Sequence, residues 1–142
     1  MIYGLDMTIL VQLELADHEM HARAARLRDS LLGEGCSFAL APQVLAEFVH
    51  IITDSRRFTN PPPMSRALEQ SERWWNAEEI TRVFPGPDAV SVFHRWMRDE
   101  ELGRTRILDT LLAATYSAAG ITAVVTSNTR DYRSFIDTVV TP

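Results

Sequence analysis

The sequence predicts an α/β sandwich with a mostly parallel central sheet, and three observations support that class. Short apolar runs of the buried-strand type alternate with longer stretches of helical periodicity. Strands that alternate with helices pair in parallel and are covered on both faces. The length of 142 residues, 46% of them apolar, suits one domain around one core, since two domains would each be too small to bury much apolar surface.

The elements follow in order. Met1 to Leu5 is a short apolar strand that ends at Asp6, and Thr8 to Leu13 continues apolar from there. Asp17 and His18 are entry residues for a helix to about Leu32, with Ala24, Leu27 and Leu31 at three- and four-residue spacing. Gly33 and Gly35 stop it, and Cys36 to Ala41 reads as a second buried strand. Pro42 suits the first turn of a helix reaching about Thr53, striped by Val44, Leu45, Phe48, Ile51 and Ile52. Arg56 to Pro63 is a loop stiffened by three consecutive prolines. A helix from Ser65 through Trp75 leads to a strand from Glu79 to Phe84, and Pro85-Gly86-Pro87 makes a turn. Asp88 to about Leu102 forms a helix carrying Val92, Phe93 and Trp96, and Gly103 to Arg106 connects it to the next. That next helix runs from Asp109 to Ala119 and is closed by Gly120. Ile121 to Thr126 and Ile136 to Val140 are the last two strands. No repeat, low-complexity tract or linker interrupts the chain, so residues 1–142 are expected to form one domain.

Composition narrows the chemistry. No apolar run approaches the roughly 18 residues of a membrane span, no basic segment precedes Asp6, and the single Cys36 excludes an intramolecular disulfide. A cytoplasmic protein is the expectation. The net charge of −5 gives the molecule no general attraction for nucleic acid, although acids grouped around a metal would be neutralised by it. All 14 basic residues other than histidine are arginine. Without lysine there can be no P-loop, no Schiff-base chemistry and no lysine-dependent aspartyl phosphatase.

Four acids stand where apolar segments end or turn over: Asp6, Glu47, Asp109 and Asp131. A carboxylate among Leu, Val and Phe is costly unless compensated. One such acid could pair with an arginine, whereas four are better explained by a bound hard divalent cation. In parallel α/β sheets, sites form beyond the carboxyl ends of the strands. Asp6 ends the first strand, Asp131 follows the strand ending at Thr126, and Asp109 begins a helix. Glu47 shares the helix face of Val44 and Ile51 and is expected to point inward. Carboxylates converging without His or Cys favour Mg²⁺ or Mn²⁺ over Zn²⁺, and such sites suit in-line displacement at phosphorus. Each acid also has a plainer reading as a helix cap or ion-pair partner, and for Asp109 capping weighs about as much as catalysis.

Four segments carry a resemblance: Asp6-Met7-Thr8, Val44-Leu45-Ala46-Glu47-Phe48, Asp109-Thr110-Leu111-Leu112-Ala113-Ala114, and Thr126-Ser127-Asn128-Thr129-Arg130-Asp131-Tyr132. In this order they resemble the four motifs of PIN-domain ribonucleases, and most nearly the VapC-type toxins of bacterial toxin–antitoxin modules. The resemblance spans essentially the whole chain. It implies a PIN-like (Rossmann-like) α/β/α fold, RNA cleavage dependent on Mg²⁺ or Mn²⁺, a homodimer, and a small cognate antitoxin as partner. By the same resemblance Asp6, Glu47 and Asp109 match the three core acids, and Thr8 matches the small polar residue that supports the first. Asn128 stands where many members carry Asp, offering only a neutral oxygen to a metal, and Asp131-Tyr132 stands in for an Asp-Phe pair. Thr126 is expected to bind a phosphate or a metal-coordinated water.

Arg104 and Arg106, just before Asp109, are candidates for contact with RNA phosphates. The four histidines lack zinc-like spacing, and Trp74, Trp75 and Trp96 read as core or interface residues before base-stacking ones. The helices from Ser65 and from Asp88 are expected to border an apolar groove for an amphipathic antitoxin helix. Two further readings stand beside the toxin: a PIN-fold RNA-processing nuclease without antitoxin, and a degenerate PIN-like nucleic-acid-binding module.

Overall fold

Five short strands lie side by side, all parallel, in a computed structural model that describes residues 1–142. They are β1 (Ile2–Leu5), β2 (Ser37–Leu40), β3 (Ile80–Arg82), β4 (Ala123–Val125) and β5 (Thr138–Val140), in the order β3-β2-β1-β4-β5. Six helices connect and flank them: α1 (Met7–Glu14), α2 (His21–Gly33), α3 (Pro42–Ile52), α4 (Met64–Asn76), α5 (Pro87–Asp99) and α6 (Ile107–Ala118). The expected sandwich is therefore present, with a sheet that is wholly rather than mostly parallel. No helix is long and apolar enough to cross a membrane.

The central strand explains where a site can form. β1 pairs with β2 on one side, Tyr3 opposite Phe38, and with β4 on the other, Tyr3 opposite Ala123. The chain builds outward from β1 to β3, then returns to lay β4 against the free edge of β1. Connections leaving the carboxyl ends of β1 and β4 therefore diverge, and such a switch point opens a crevice. Asp6 directly follows β1 and Thr126 directly follows β4.

The core fills the space between sheet and helices. Leu5, Phe38, Leu40, Val124 and Val125 from the strands meet Leu10, Val44, Phe48, Ile52, Leu112 and Tyr116 from the helices, all buried. Tyr116 is fully enclosed, and its hydroxyl donates to the carbonyls of Leu5 (2.5 Å) and Ala39 (3.2 Å). Its ring lies so close to β1 that a Cβ on Gly4 would come within 2.6 Å of it. Glycine at position 4 is thus what lets α6 approach the sheet beneath the crevice.

Several boundaries differ from the sequence reading. The apolar stretch after Asp6 is a helix, α1, with four consecutive buried residues, Ile9, Leu10, Val11 and Gln12. A helix buried around so much of its circumference shows little amphipathic stripe, so its periodicity is hidden. Helix α2 starts at His21 rather than Asp17, because His18 Nδ1 accepts from the Met20 amide in a preceding turn. Helix α5 ends at Asp99, and Glu101 takes a positive φ of 49° just beyond it. Helix α6 begins two residues before Asp109, placing that acid in its first turn. Ile136 is buried but precedes β5 in a turn, its amide bonded to the carbonyl of Tyr132.

Candidate active site

Asp6 is the most constrained of the four acids. Its backbone is extended (φ −105°, ψ 172°) and its side chain caps α1, accepting from the Thr8 amide at 3.0 Å. The Thr8 hydroxyl donates to the same oxygen at 2.5 Å, and the Thr126 hydroxyl donates to the other. Although only 4% exposed, Asp6 has no cationic partner. Burial outweighs the hydrogen bonds and raises its carboxyl to about 6. The Thr126 hydroxyl, expected to face a phosphate or water, is instead committed within the protein. It donates to Asp6 and accepts the Asn128 amide at 2.9 Å. Helix capping and site formation therefore use one and the same carboxylate.

Asp109 projects from the first turn of α6. Burial raises its carboxyl to about 7, with neighbouring Asp131, Asp6 and Glu47 adding to the rise. That influence brings all four acids into one electrostatic neighbourhood. The Tyr132 hydroxyl donates to Asp109 Oδ1 at 3.3 Å, and Asn128 Nδ2 reaches Oδ2 at 3.4 Å. Tyr132 is fully buried, and burial followed by the charges of Asp6 and Asp109 keeps its phenol protonated well above the usual range.

Glu47 lies midway along α3, half-buried, where a cleft opens between α3 and α6 beside His50, Leu108 and Leu111. Burial raises its carboxyl, and His50 one turn on opposes that rise. Like Asp6 and Asp109, it forms no ion pair.

Asp131 is different. It is buried in a single 3₁₀ turn, Thr129–Asp131, and Arg106 Nε stands 2.9 Å from its Oδ1. The Arg106 guanidinium also donates to the Asp131 carbonyl at 3.2 Å. Asn128 Nδ2 donates to the second carboxylate oxygen. Arg106, expected to be free for RNA phosphates, is thus turned inward with a side chain only 17% exposed. Arg104 remains exposed at the turn before α6. Tyr116 and the inward turn of Arg106 have no local sequence signal, since each depends on contacts between distant segments.

The donor set fits a hard cation. Asp6, Glu47 and Asp109 have no cationic partner, Asp6 is buried, and no thiolate joins them, which is the oxygen-only chemistry a hard cation takes. No three acid, histidine or cysteine side chains stand together as a metal-holding group, so the expected convergence of the four acids is not reached in this arrangement, where like charges repel one another.

Comparison with known proteins agrees with this architecture. No protein-family model matches the chain. It is 28% identical over 109 residues to a VapC ribonuclease of Mycobacterium bovis, covering 77% of this chain and 74% of that one. Among solved structures it is similar to Mycobacterium tuberculosis VapC20, described as a sarcin–ricin-loop-cleaving toxin, with a TM-score of 0.66 and 18% identity over 87% of each chain. It also resembles a chain of the VapBC2 complex of Rickettsia felis, with a TM-score of 0.67 and 15% identity, covering 100% of this chain and 99% of that one. The fold is thus the PIN fold found in VapC toxins. The resemblance to VapC-type ribonucleases read from the four segments is borne out in both sequence and fold.

Proposed function

We propose that this chain is an endoribonuclease dependent on Mg²⁺ or Mn²⁺ that serves as the toxin of a toxin–antitoxin pair. The observation carrying the proposal is the trio Asp6, Glu47 and Asp109: acids without cationic partners, with the charges of Asp6 and Glu47 adding to the rise of the Asp109 carboxyl. Similarity to a VapC ribonuclease and to chains from toxin–antitoxin structures supports it. A bound divalent ion would supply charge stabilisation for the scissile phosphate and lower the pKa of the attacking water.

The chain's own residues do the rest. Asp6, Glu47 and Asp109 would hold the ion, with Asp6 fixed by the hydroxyls of Thr8 and Thr126. The Tyr132 hydroxyl, donating to Asp109 Oδ1, would help to orient that carboxylate. Arg104, exposed in the turn that leads into α6, is suited to an RNA phosphate. Elevated carboxyl pKa values at Asp6 and Asp109 mean that ion binding must displace protons, so ion affinity rises with pH through the range from about 6 to about 7.

The deciding experiment is a cleavage assay on total RNA with Mg²⁺, with Mn²⁺ and with chelator, comparing wild type and Asp6→Asn. Cleavage that requires the ion and is lost in the variant is expected. Asp6→Asn protein cleaving at the wild-type rate would refute the assignment, and chelator-resistant cleavage would refute the metal dependence.

A further inference from the structure

The fourth acid is already neutralised from within, and we infer that Arg106 stands in place of a second cation, so that the site takes a single divalent ion. The inference rests on the metal-dependent reading above and concerns how many ions that site accepts.

Three observations carry it. The Arg106 guanidinium pairs with Asp131 Oδ1 at 2.9 Å and donates to the carbonyl of the same residue at 3.2 Å. With its side chain 17% exposed and that of Asp131 7%, the pair is shielded from bulk water and weakly screened. Asn128 completes the arrangement, presenting its amide nitrogen to both Asp131 Oδ2 and Asp109 Oδ2. Asp131 Oδ2 and Asp109 Oδ2 therefore face the Asn128 amide, while Asp131 Oδ1 is opposed by the Arg106 charge at 2.9 Å without a hydrogen bond between them.

Charge decides the number. Four carboxylates less the Arg106 guanidinium leave three negative charges, which one divalent ion reduces to one; Arg130, 3.6 Å from Asp131 Oδ1 with its side chain 84% exposed, adds a solvent-screened positive charge that lowers the room for a second ion further. A second divalent ion would make the cluster positive and would have to lie beside a guanidinium it cannot displace without leaving a buried arginine unpaired. Arg106 is held in that place by the backbone, since the turn Arg104–Arg106 runs directly into α6 and delivers both Arg106 and Asp109 to the crevice.

Titrating Mn²⁺ into metal-free protein, with unbound Mn²⁺ followed by electron paramagnetic resonance, tests this without reference to activity. Wild type is expected to take up one ion per chain. Arg106→Met is expected to gain a second, whereas Arg106→Lys, which keeps the charge, stays at one. Asp131→Asn should leave the affinity of the single ion nearly unchanged, while Asp109→Asn weakens it roughly tenfold or more. Two ions in wild type would overturn the role of Arg106 and leave the nuclease reading intact. Absence of any Mn²⁺ binding would overturn both. If Arg106→Met fails to fold, wild-type stoichiometry and Asp131→Asn decide alone, and a tenfold weakening in Asp131→Asn would overturn the inference.

Discussion

Asp6 stabilises and destabilises the same fold. Its carboxylate caps α1 through the Thr8 amide, yet burial leaves it with a carboxyl raised from 3.8 to about 6. A raised acid pKa means that the folded state holds a proton the unfolded chain has released. Stability from this group is therefore full below 3.8 and is lost as pH rises toward about 6, with Asp109 extending the loss to about 7. Metal-free protein should show a chemical-denaturation midpoint that falls across that window, and millimolar Mn²⁺ should reverse the fall at the upper end. Asp6→Asn cannot ionise, so above pH 6 it should be more stable than wild type without metal, by up to roughly 3 kcal/mol. The same substitution should abolish the gain from Mn²⁺ and the cleavage activity. Equal midpoints for the two proteins at pH 8 would show that the Asp6 charge costs the fold nothing.

At the level of elements, two contacts hold the helices that frame the crevice. Tyr116 on α6 ties the ends of β1 and β2 together and leaves no room for a side chain at Gly4. Gly4→Ala must push the ring or the strand aside, and a loss of about 1–3 kcal/mol is expected from such overpacking, measured by urea unfolding. The end of α1 carries the second contact. Glu14 accepts from Trp74 Nε1 at 2.8 Å and Gln70 Nε2 at 3.0 Å, with Arg73 at 3.4 Å, which latches α4 to α1. Glu14→Ala strands two mostly buried donors and should cost about 1–3 kcal/mol. Because the latch lies away from the acids, Mn²⁺ affinity in Glu14→Ala should remain that of wild type. The expected groove bordered by both α4 and α5 is not reproduced simply, since α4 packs on α3 while α5 packs on α6.

For the molecule as a whole, the distribution of charge and apolar surface sets what the proposed antitoxin would have to match. The net charge is −5, and Asp6, Glu47 and Asp109 have no cationic partners. Leu108 (63% exposed) and Ile107 (40%) stand at the entrance to α6, one and two residues before Asp109. An inhibitory segment carrying an arginine flanked by apolar residues would match both features, since guanidinium pairs bidentately with carboxylate. Co-expression with the product of a neighbouring small gene is expected to yield a complex and to relieve any growth defect caused by this chain. In that complex, added Mn²⁺ should bind more weakly than to the free protein, as competition for the same carboxylates requires. A complex whose Mn²⁺ affinity equals that of the free chain would place the partner elsewhere.

Sequence alone was enough for whatever depends on local pattern. Alternating strand and helix segments specify a parallel sheet, because a parallel connection needs a crossover and a helix supplies it. Asp6, Glu47 and Asp109 stand out in the sequence as candidates because a carboxylate in an apolar run is costly and so demands a purpose. Tertiary structure decided what depends on partners far apart in the chain. Thr126 reaches Asp6 across 120 residues and Arg106 reaches Asp131 across 25, and neither pairing leaves a trace in local composition. Arginine beside a site looks the same in sequence whether it faces RNA or an internal acid. Only packing at the start of α6 settles the direction, by closing Arg106 from solvent against Asp131. Helix α1 was hidden for a related reason: burial on most of its faces erases the periodicity by which a helix is read.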